Sequence, residues 1–193
     1  MSAVKNITLQ TEEDYLRNEL SNETKHELIN GSAYAMAGAS RNHGLIASNI
    51  SRKFGNHLER TPCITLVADM KLKVNSNFFY PDVMVVCNDQ SDNEYHTDSP
   101  TIIVEVLSKS TRKTDESTKL MSYINIPSLL EYVLIEQDFV DIQVIRRKEG
   151  WLPKHFFLGD KITFESISLT LDVEEIYHRV QNEDMLEFLN LNP

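Results

Sequence analysis

The spacing of apolar residues predicts two helices and a hairpin in the first third of the chain. In HGLIASNISRKFGNHLER, apolar residues at positions 45, 46, 50, 54 and 58 fall on one face of a helix. The earlier stretch TEEDYLRNEL opens with Thr11 and a run of acidic residues, which is typical of a helix N-terminus. Between them, KHELINGSAYAMAG contains Asn30-Gly31, a strong turn signal that predicts a hairpin with Glu27 on its first arm.

Further along the chain, stretches rich in β-branched residues predict strands. CITLVADMKLKV, YPDVMVVC and TIIVEVLS are three consecutive strand candidates. LEYVLIE, DIQVIRRKEGWLPKHFFL and ISLTL give later ones, with a turn predicted at Glu149-Gly150.

Two further helices are predicted in the second half of the chain. One runs from Ser110 to Asn125, is capped by Ser110 or Thr111, and ends near Pro127. The other is DVEEIYHRV, where the acidic residues at positions 172 and 175 have the spacing of a capping box. The order of helices and strands predicts an α/β domain whose central sheet is flanked by helices.

Length and composition agree with a globular protein. The 193 residues are 41% hydrophobic and 25% charged, which predicts one domain over residues 1–193, with a core from about 11 to 180 and a short C-terminal helical tail. No apolar run approaches the roughly 18 residues needed to span a membrane, and MSAVKNITLQ does not resemble a signal peptide. Cys63 and Cys87 form no CxxC pair, so we expect reduced thiols in a cytoplasmic protein.

The charge balance bears on the class of partner. A net charge of -10 argues against a protein that coats nucleic acid through bulk positive potential. It remains compatible with an enzyme that has a local basic groove, and with a site that gathers carboxylates around a cation.

Two acidic residues occupy unusual places in the strand candidates. Glu105 lies inside TIIVEVLS, where strand alternation puts it on the same face as Ile103 and Leu107. Asp82 lies at the start of its strand, directly after Pro81. If the two strands pair, both carboxylates meet at one end of the sheet, where they repel unless a proton or a cation lies between them. Glu105 could equally be a structural carboxylate with an ion-pair partner, and Asp82 could be a turn residue at the start of its strand.

A hard divalent cation would suit this pair. Mg²⁺ binds through one or two carboxylates and leaves its other positions to water and phosphate. It can acidify a water and neutralise charge on a phosphodiester, and a nearby lysine would add a second positive charge.

The order of the motifs resembles a known family. ELINGSAYAMAGAS, then RNH, YPDVMVVC and PTIIVEVLSKSTRKTDESTKLMSYINIPSLLEYVLIE are similar to the Uma-two family of bacterial endonucleases, within the PD-(D/E)xK, restriction-endonuclease-like superfamily. The resemblance extends from about Thr11 to the last helix, and YPDVMVV, IVEVLSKST and TDESTKL are its most specific parts.

The resemblance implies an α/β fold, with a restriction-endonuclease-like mixed β-sheet core flanked by helices. It implies a metal-dependent endonuclease that hydrolyses phosphodiester bonds in DNA, with Mg²⁺ or Mn²⁺ as cofactor, and by analogy a homodimer. Matched residue by residue, Asp82 and Glu105 are the two acids of the motif, and the carbonyl of Val106 is a third metal ligand.

One position departs from the motif. Leu107 stands two residues after Glu105, where a lysine is usual, and the resemblance makes Lys119 on the following helix its substitute. Lys119 could instead form an exposed ion pair with Asp115, four residues earlier, or be anchored by it toward the metal. Glu27 matches the glutamate before the NG turn of the family and completes the acidic site, unless it is a solvated hairpin charge.

Parts of the sequence also bear on two other functional classes. A catalytically silent nuclease-like domain that binds nucleic acid or a protein is compatible with Leu107 and with the acidic balance. A Ser/His hydrolase would need Ser40 and His43 to meet beside a buried acid, but the chain has no GxSxG sequence. His43 is therefore predicted to be a polar residue at the start of a helix.

Overall fold

The computed structural model describes residues 9–89, 93–109 and 111–191. Its helices are α1 (Glu12–Glu19), α2 (Arg41–Leu58), a π-helical segment π1 (Thr114–Lys119), α3 (Leu120–Tyr123), α4 (Val173–Ile176) and α5 (Glu183–Leu191), with 3-10 turns at Arg147–Glu149 and Glu165–Ile167. Its strands are β1 (His26–Ile29), β2 (Ser32–Ala35), β3 (Cys63–Val67), β4 (Lys71–Val74), β5 (Asn77–Phe79), β6 (Val83–Cys87), β7 (His96–Thr97), β8 (Pro100–Leu107), β9 (Glu131–Glu136), β10 (Ile142–Arg146), β11 (Pro153–Phe156), β12 (Lys161–Phe164) and β13 (Leu169–Asp172).

A mixed sheet forms the centre of the fold. Its six strands follow the order β11-β10-β9-β8-β6-β3, and β8 and β9 are parallel while their neighbours pair antiparallel. A second sheet of five strands has the order β2-β1-β5-β4-β7, and β12 and β13 form a separate hairpin. Strand β8 is buried along its whole length, which explains why its sequence is almost continuously apolar.

The two faces of the central sheet belong to different apolar cores. One core joins α2, through Ile46, Ile50 and Phe54, to Val104 on β8, and it extends to the β12–β13 hairpin and α4. The other contains Ile103 of β8 together with residues of the second sheet and of α3. The acidic residue on β8 therefore lies on the face that is covered by the second sheet and the π1–α3 helix.

Most local predictions are confirmed. Thr11 caps α1 by accepting a hydrogen bond from the Asp14 N–H at 3.1 Å. Asn30 and Gly31 both have positive φ, 51° and 78°, and close the β1–β2 hairpin, as its turn type requires. The capping box at the start of α4 is also present, with Asp172 as the N-cap residue.

Two local predictions were wrong in detail. CITLVADMKLKV forms two strands in different sheets, because the chain turns at Asp69, whose φ is 102°. The segment predicted as one helix over 110–125 is a π-helical segment followed by a short α-helix, and no side chain caps the start of π1. The cap candidate Ser110 lies outside the described residues.

The prediction of reduced thiols was also wrong. Cys63 on β3 and Cys87 on β6 lie directly opposite each other in the antiparallel register, with Cα atoms 4.0 Å apart, and they form a disulfide. Their separation of 24 residues gave no sign of this register in the sequence. No helix in the described parts of the chain combines the length and apolar character needed to cross a bilayer.

Candidate active site

Strands β6 and β8 bring Asp82 and Glu105 together. The antiparallel register pairs Val83 with Val104, so the next residue pair along the strands is Asp82 and Glu105. Glu105 keeps only 3% of its surface exposed, and its neighbours on the same face belong to the core between the two sheets. The prediction that Glu105 shares a face of β8 with Ile103 and Leu107 is therefore confirmed. The prediction that the strands after Asp82 and around Glu105 pair with each other is also confirmed.

Asp82 is held at both carboxylate oxygens. Oδ2 accepts the Val106 N–H at 2.7 Å, and Oδ1 lies 2.8 Å from Nε2 of His43. The N–H and C=O of a strand residue point to the same side of the strand, so the carbonyl of Val106 also faces the β6 side. The predicted third oxygen ligand thus faces the same side of β8 as Asp82.

Lys119 lies at the centre of the acidic residues. Its Nζ is 2.9 Å from Oε1 of Glu27, 3.1 Å from Oε1 of Glu105 and 3.1 Å from Oδ1 of Asp115. The side chain of Lys119 is 5% exposed and that of Asp115 is 2% exposed, so the interpretation as an exposed helical ion pair is wrong. The lysine reaches the acid on β8 from the following helix, where the sequence predicted it.

Asp115 and Lys119, which contact each other, both lie on the π-helical segment π1. Asp115 and Lys119 lie near its two ends and are both buried, while Glu116, Ser117 and Thr118 between them are exposed. Segments of π-helix are rare and occur frequently at functional sites. The local sequence TDEST gives no signal that separates such a segment from an ordinary α-helix.

Glu27 is a buried part of the site. It lies on β1, is 8% exposed, and accepts the Tyr80 N–H at 3.1 Å through the same Oε1 that contacts Lys119. The alternative interpretation as a solvated hairpin charge is therefore wrong. Its side chain links the second sheet to the π1 helix through the ammonium group.

Two buried tyrosines complete the surroundings of the acidic residues. The Tyr123 hydroxyl donates to Oε1 of Glu105 at 3.1 Å, and the Tyr132 hydroxyl donates to the backbone carbonyl of Asp115 at 3.1 Å. The two rings pack edge to face with centroids 5.3 Å apart. Their hydroxyl groups could have been noticed, because a fully buried tyrosine needs a hydrogen-bond partner.

Burial and like charge perturb the acids. The pKa of Glu105 is raised well above its ordinary value, first by burial and then by Asp115, Asp82 and Glu27, and Lys119 only partly offsets this. Burial likewise raises the pKa of Asp115. Burial alone would lower the pKa of Lys119, but its three carboxylate neighbours outweigh burial and raise it well above the ordinary value.

The raised pKa of Glu105 leads to a prediction for the metal-free protein. Glu105 has a higher pKa in the folded protein than in the unfolded chain. Its protonation therefore stabilises the fold fully at pH values below the unfolded-state pKa, and this stabilisation is lost as pH rises through the folded-state pKa. We therefore expect Glu105→Gln to raise the free energy of unfolding near neutral pH by on the order of 1 kcal/mol. The gain should vanish below the ordinary glutamate pKa. Urea unfolding in EDTA at several pH values measures it.

A destabilisation by several kcal/mol would contradict this expectation. It would identify the ion pair between Glu105 and Lys119 as the main role of the acid. Glu116→Gln, an exposed change on π1, serves as the control and should alter stability by less than about 0.5 kcal/mol.

The donor atoms fit a hard divalent cation. No group of three or more His, Cys, Asp or Glu side chains is arranged to hold a metal within the described parts of the chain. The oxygen donors of Asp82, Glu105 and the Val106 carbonyl would leave further positions to water and substrate, as Mg²⁺ prefers. The described contacts of Glu105 with Lys119 and Tyr123 both fall on Oε1, so Oε2 is the oxygen that would be available to a cation.

The geometry does not support a Ser/His hydrolase. Ser40 caps α2 by accepting the His43 N–H at 3.1 Å, and its hydroxyl donates to the side-chain oxygen of Gln137. The imidazole of His43 instead contacts Asp82, so the hydroxyl and the imidazole have different partners. A nucleophile needs hydrogen-bond contact with its base, and these two side chains do not provide it.

Comparison with known proteins gives the family. Residues 12–174 match the Uma2 family, described as “Putative restriction endonuclease”. The chain belongs to this family. The match covers the acids on β1 and β8, the acid directly before β6 and the lysine of π1, and it confirms the family that the sequence motifs indicated.

Two proteins of one cyanobacterium are similar to the Uma2 chain over most of its length. The uncharacterized protein slr1290 of Synechocystis sp. is 34% identical, over 86% of this chain and 90% of its own length. The uncharacterized protein sll1609 of the same organism is 35% identical, over 71% of this chain and 80% of its own.

A solved structure confirms the predicted fold class. A “putative nuclease” from Anabaena variabilis superposes on the Uma2 chain with a TM-score of 0.76 and 15% sequence identity. The superposition covers 89% of this chain and 99% of that one. The α/β fold with a mixed sheet flanked by helices is thus shared with a nuclease-like protein.

Proposed function

We propose that this Uma2 protein is a metal-dependent endonuclease that hydrolyses phosphodiester bonds in DNA, with Mg²⁺ or Mn²⁺ as cofactor. The observation that carries the proposal is the contact of Lys119 with Glu105, the acid that the register of β6 and β8 places opposite Asp82. An ammonium group in contact with one acid of such a pair supplies positive charge, and the two carboxylates with a backbone carbonyl supply oxygen donors, which together suit metal-assisted phosphodiester hydrolysis.

The position of Leu107 explains why the lysine comes from a helix. The Leu107 side chain is fully buried in the apolar core between the sheets. A lysine there would have to bury its charge among aliphatic side chains at a large cost in free energy. Lys119 instead reaches Glu105 from π1, which covers this face of β8, and three carboxylates keep it charged.

Each residue then has a distinct role. Asp82, Glu105 and the Val106 carbonyl would hold the metal, which would supply a positive charge that acidifies a water and neutralises charge on the phosphate. Lys119 positions the water and stabilises the negative charge that develops on the phosphate oxygens. Glu27 completes the acidic site, and Glu27 and Asp115 hold the ammonium group in place between them.

The proposal predicts cleavage of DNA that depends on both metal and Glu105. Purified protein should nick or linearise supercoiled plasmid with Mg²⁺ or Mn²⁺ and should be inactive in EDTA. Glu105→Gln should reduce the cleavage rate by roughly a hundredfold or more, because it removes the charge of a metal ligand. Glu116→Gln, which changes an exposed charge on π1, should cleave at the wild-type rate.

One observation favours a second candidate, a catalytically silent nuclease-like domain that binds nucleic acid or a protein. Lys119 already neutralises part of the acidic cluster through its three carboxylate contacts, and so stabilises the site without a metal. Absence of cleavage of plasmid, single-stranded and branched DNA with either metal would support this candidate. Calorimetric titration with Mn²⁺ would then show whether the site binds metal without catalysis.

A further inference from the structure

The imidazole of His43 makes a contact for which the proposed function has given no role. Its Nε2 lies 2.8 Å from Oδ1 of Asp82, and each of the two side chains keeps 17% of its surface exposed. A carboxylate oxygen is a hydrogen-bond acceptor, and an imidazole that carries its proton on Nε2 is a matching donor. The backbone of β8 holds the other oxygen through the Val106 N–H.

The first turn of α2, which carries His43, is itself fixed against the strands. Ser40 accepts the His43 N–H at its cap and donates its hydroxyl to Gln137. The amide of Gln137, a residue only 7% exposed, donates in turn to the Leu107 carbonyl at 2.6 Å, at the end of β8. The imidazole therefore reaches Asp82 from a turn that is tied to the same strand that carries Glu105.

We propose that His43 is a positioning residue, which holds the carboxylate of Asp82 in the orientation that binds the metal. The inference rests on the proposed function, because it assigns His43 to the metal site. Asp82 precedes its strand, so without the imidazole only the Val106 N–H would restrain its carboxylate among the described contacts. Hydrogen-bond partners of metal-binding side chains typically contribute 10–100-fold to metal affinity.

The test compares two substitutions of His43 by their affinity for Mn²⁺, measured by calorimetry. His43→Leu removes the donor and should weaken Mn²⁺ binding by roughly 10–100-fold. His43→Gln keeps an N–H donor at the end of a side chain of similar reach, and should bind Mn²⁺ within about threefold of the wild type. Cleavage by His43→Leu should recover to within a few fold of the wild-type kcat at saturating Mn²⁺, because the chemical step uses other residues.

The chain offers a matched control on the same helix. His57 lies at the other end of α2 and bonds the Ile167 carbonyl through its Nε2 at 2.7 Å, which is a structural contact away from the acids. His57→Leu should leave Mn²⁺ affinity unchanged even if it lowers stability. Urea unfolding of all three variants separates effects on folding from effects on the site.

The outcomes are distinct. Wild-type Mn²⁺ affinity in His43→Leu would overturn the positioning role and leave the metal site in place. An equal loss of affinity in His57→Leu would also overturn it, because the effect would then come from α2 as a whole. Failure of the wild-type protein to bind Mn²⁺ would refute the metal site and the role of His43 together.

Discussion

Replacement of Lys119 by methionine is expected to lower the free energy of unfolding of the metal-free protein by about 3–5 kcal/mol near neutral pH. Methionine fills much of the same space but supplies no positive charge. Glu27, Glu105 and Asp115 would then be buried together without a cation, and removing one partner of a buried ion pair carries this penalty. Urea unfolding followed by circular dichroism in EDTA measures the change.

The pH dependence of this variant provides a second readout. Burial and mutual repulsion already raise the pKa values of Glu105 and Asp115, and loss of the ammonium group raises them further. The acids of the variant can relieve repulsion by binding protons, so the destabilisation should shrink as pH falls toward the ordinary range of carboxylates. Added Mn²⁺ should also restore stability, because it supplies the missing positive charge.

The control is Lys113→Met, which removes an exposed lysine just before π1. It should change the free energy of unfolding by less than about 0.5 kcal/mol. If Lys119→Met were as mild as this control, the acids would be largely protonated in the native protein. Lys119 would then be a minor part of the site.

Glu105→Gln and Lys119→Met thus have predicted effects of opposite sign, although both break the same ion pair. Four acids share one lysine at the centre of the site, if Asp82 is counted with the three that contact it. Removal of an acid reduces an excess of negative charge, while removal of the lysine increases it. Such an excess is what a cation-binding site requires, and a purely structural ion-pair network would be balanced.

Those parts of the fold and of the site that depend on the pattern of residues within one short segment could be predicted from the sequence. The alternation in TIIVEVLS placed Glu105 on the correct face, and Asn30-Gly31 placed Glu27 on the first arm of a hairpin. The motif order identified Lys119 as the lysine that replaces Leu107, and the structure brings it to Glu105.

What could not be predicted depends on tertiary contacts. The contact of His43 with Asp82 joins residues 39 positions apart, and the disulfide of Cys63 and Cys87 follows from a strand register. Neither pairing has a signature in local composition, since each is created by the packing of separate segments. The π-helical geometry around Lys119 is similarly imposed by its buried partners, because nothing in TDESTK favours it over an α-helix.

The largest effect on function is expected from Asp82→Asn, which should weaken metal binding and slow cleavage together. Asparagine has nearly the same shape, and its side-chain oxygen can still accept the Val106 N–H. The imidazole of His43 can retain its contact by changing tautomer, so the fold should be preserved. The change therefore removes one negative charge from the cation site and little else.

The expected loss in Mn²⁺ affinity is roughly a hundredfold or more, which is at or above the usual effect of residues that only support a metal ligand. Calorimetry measures this loss, and single-turnover cleavage of plasmid should fall by at least the same factor. Asp98→Asn removes an exposed carboxylate close to β7 and should leave both quantities unchanged. Normal Mn²⁺ affinity with lost cleavage would exclude Asp82 as a metal ligand and would assign it a role in the chemical step. Normal values of both quantities would exclude the residue from the site, since a charge that is one of two carboxylate ligands cannot be removed without consequence.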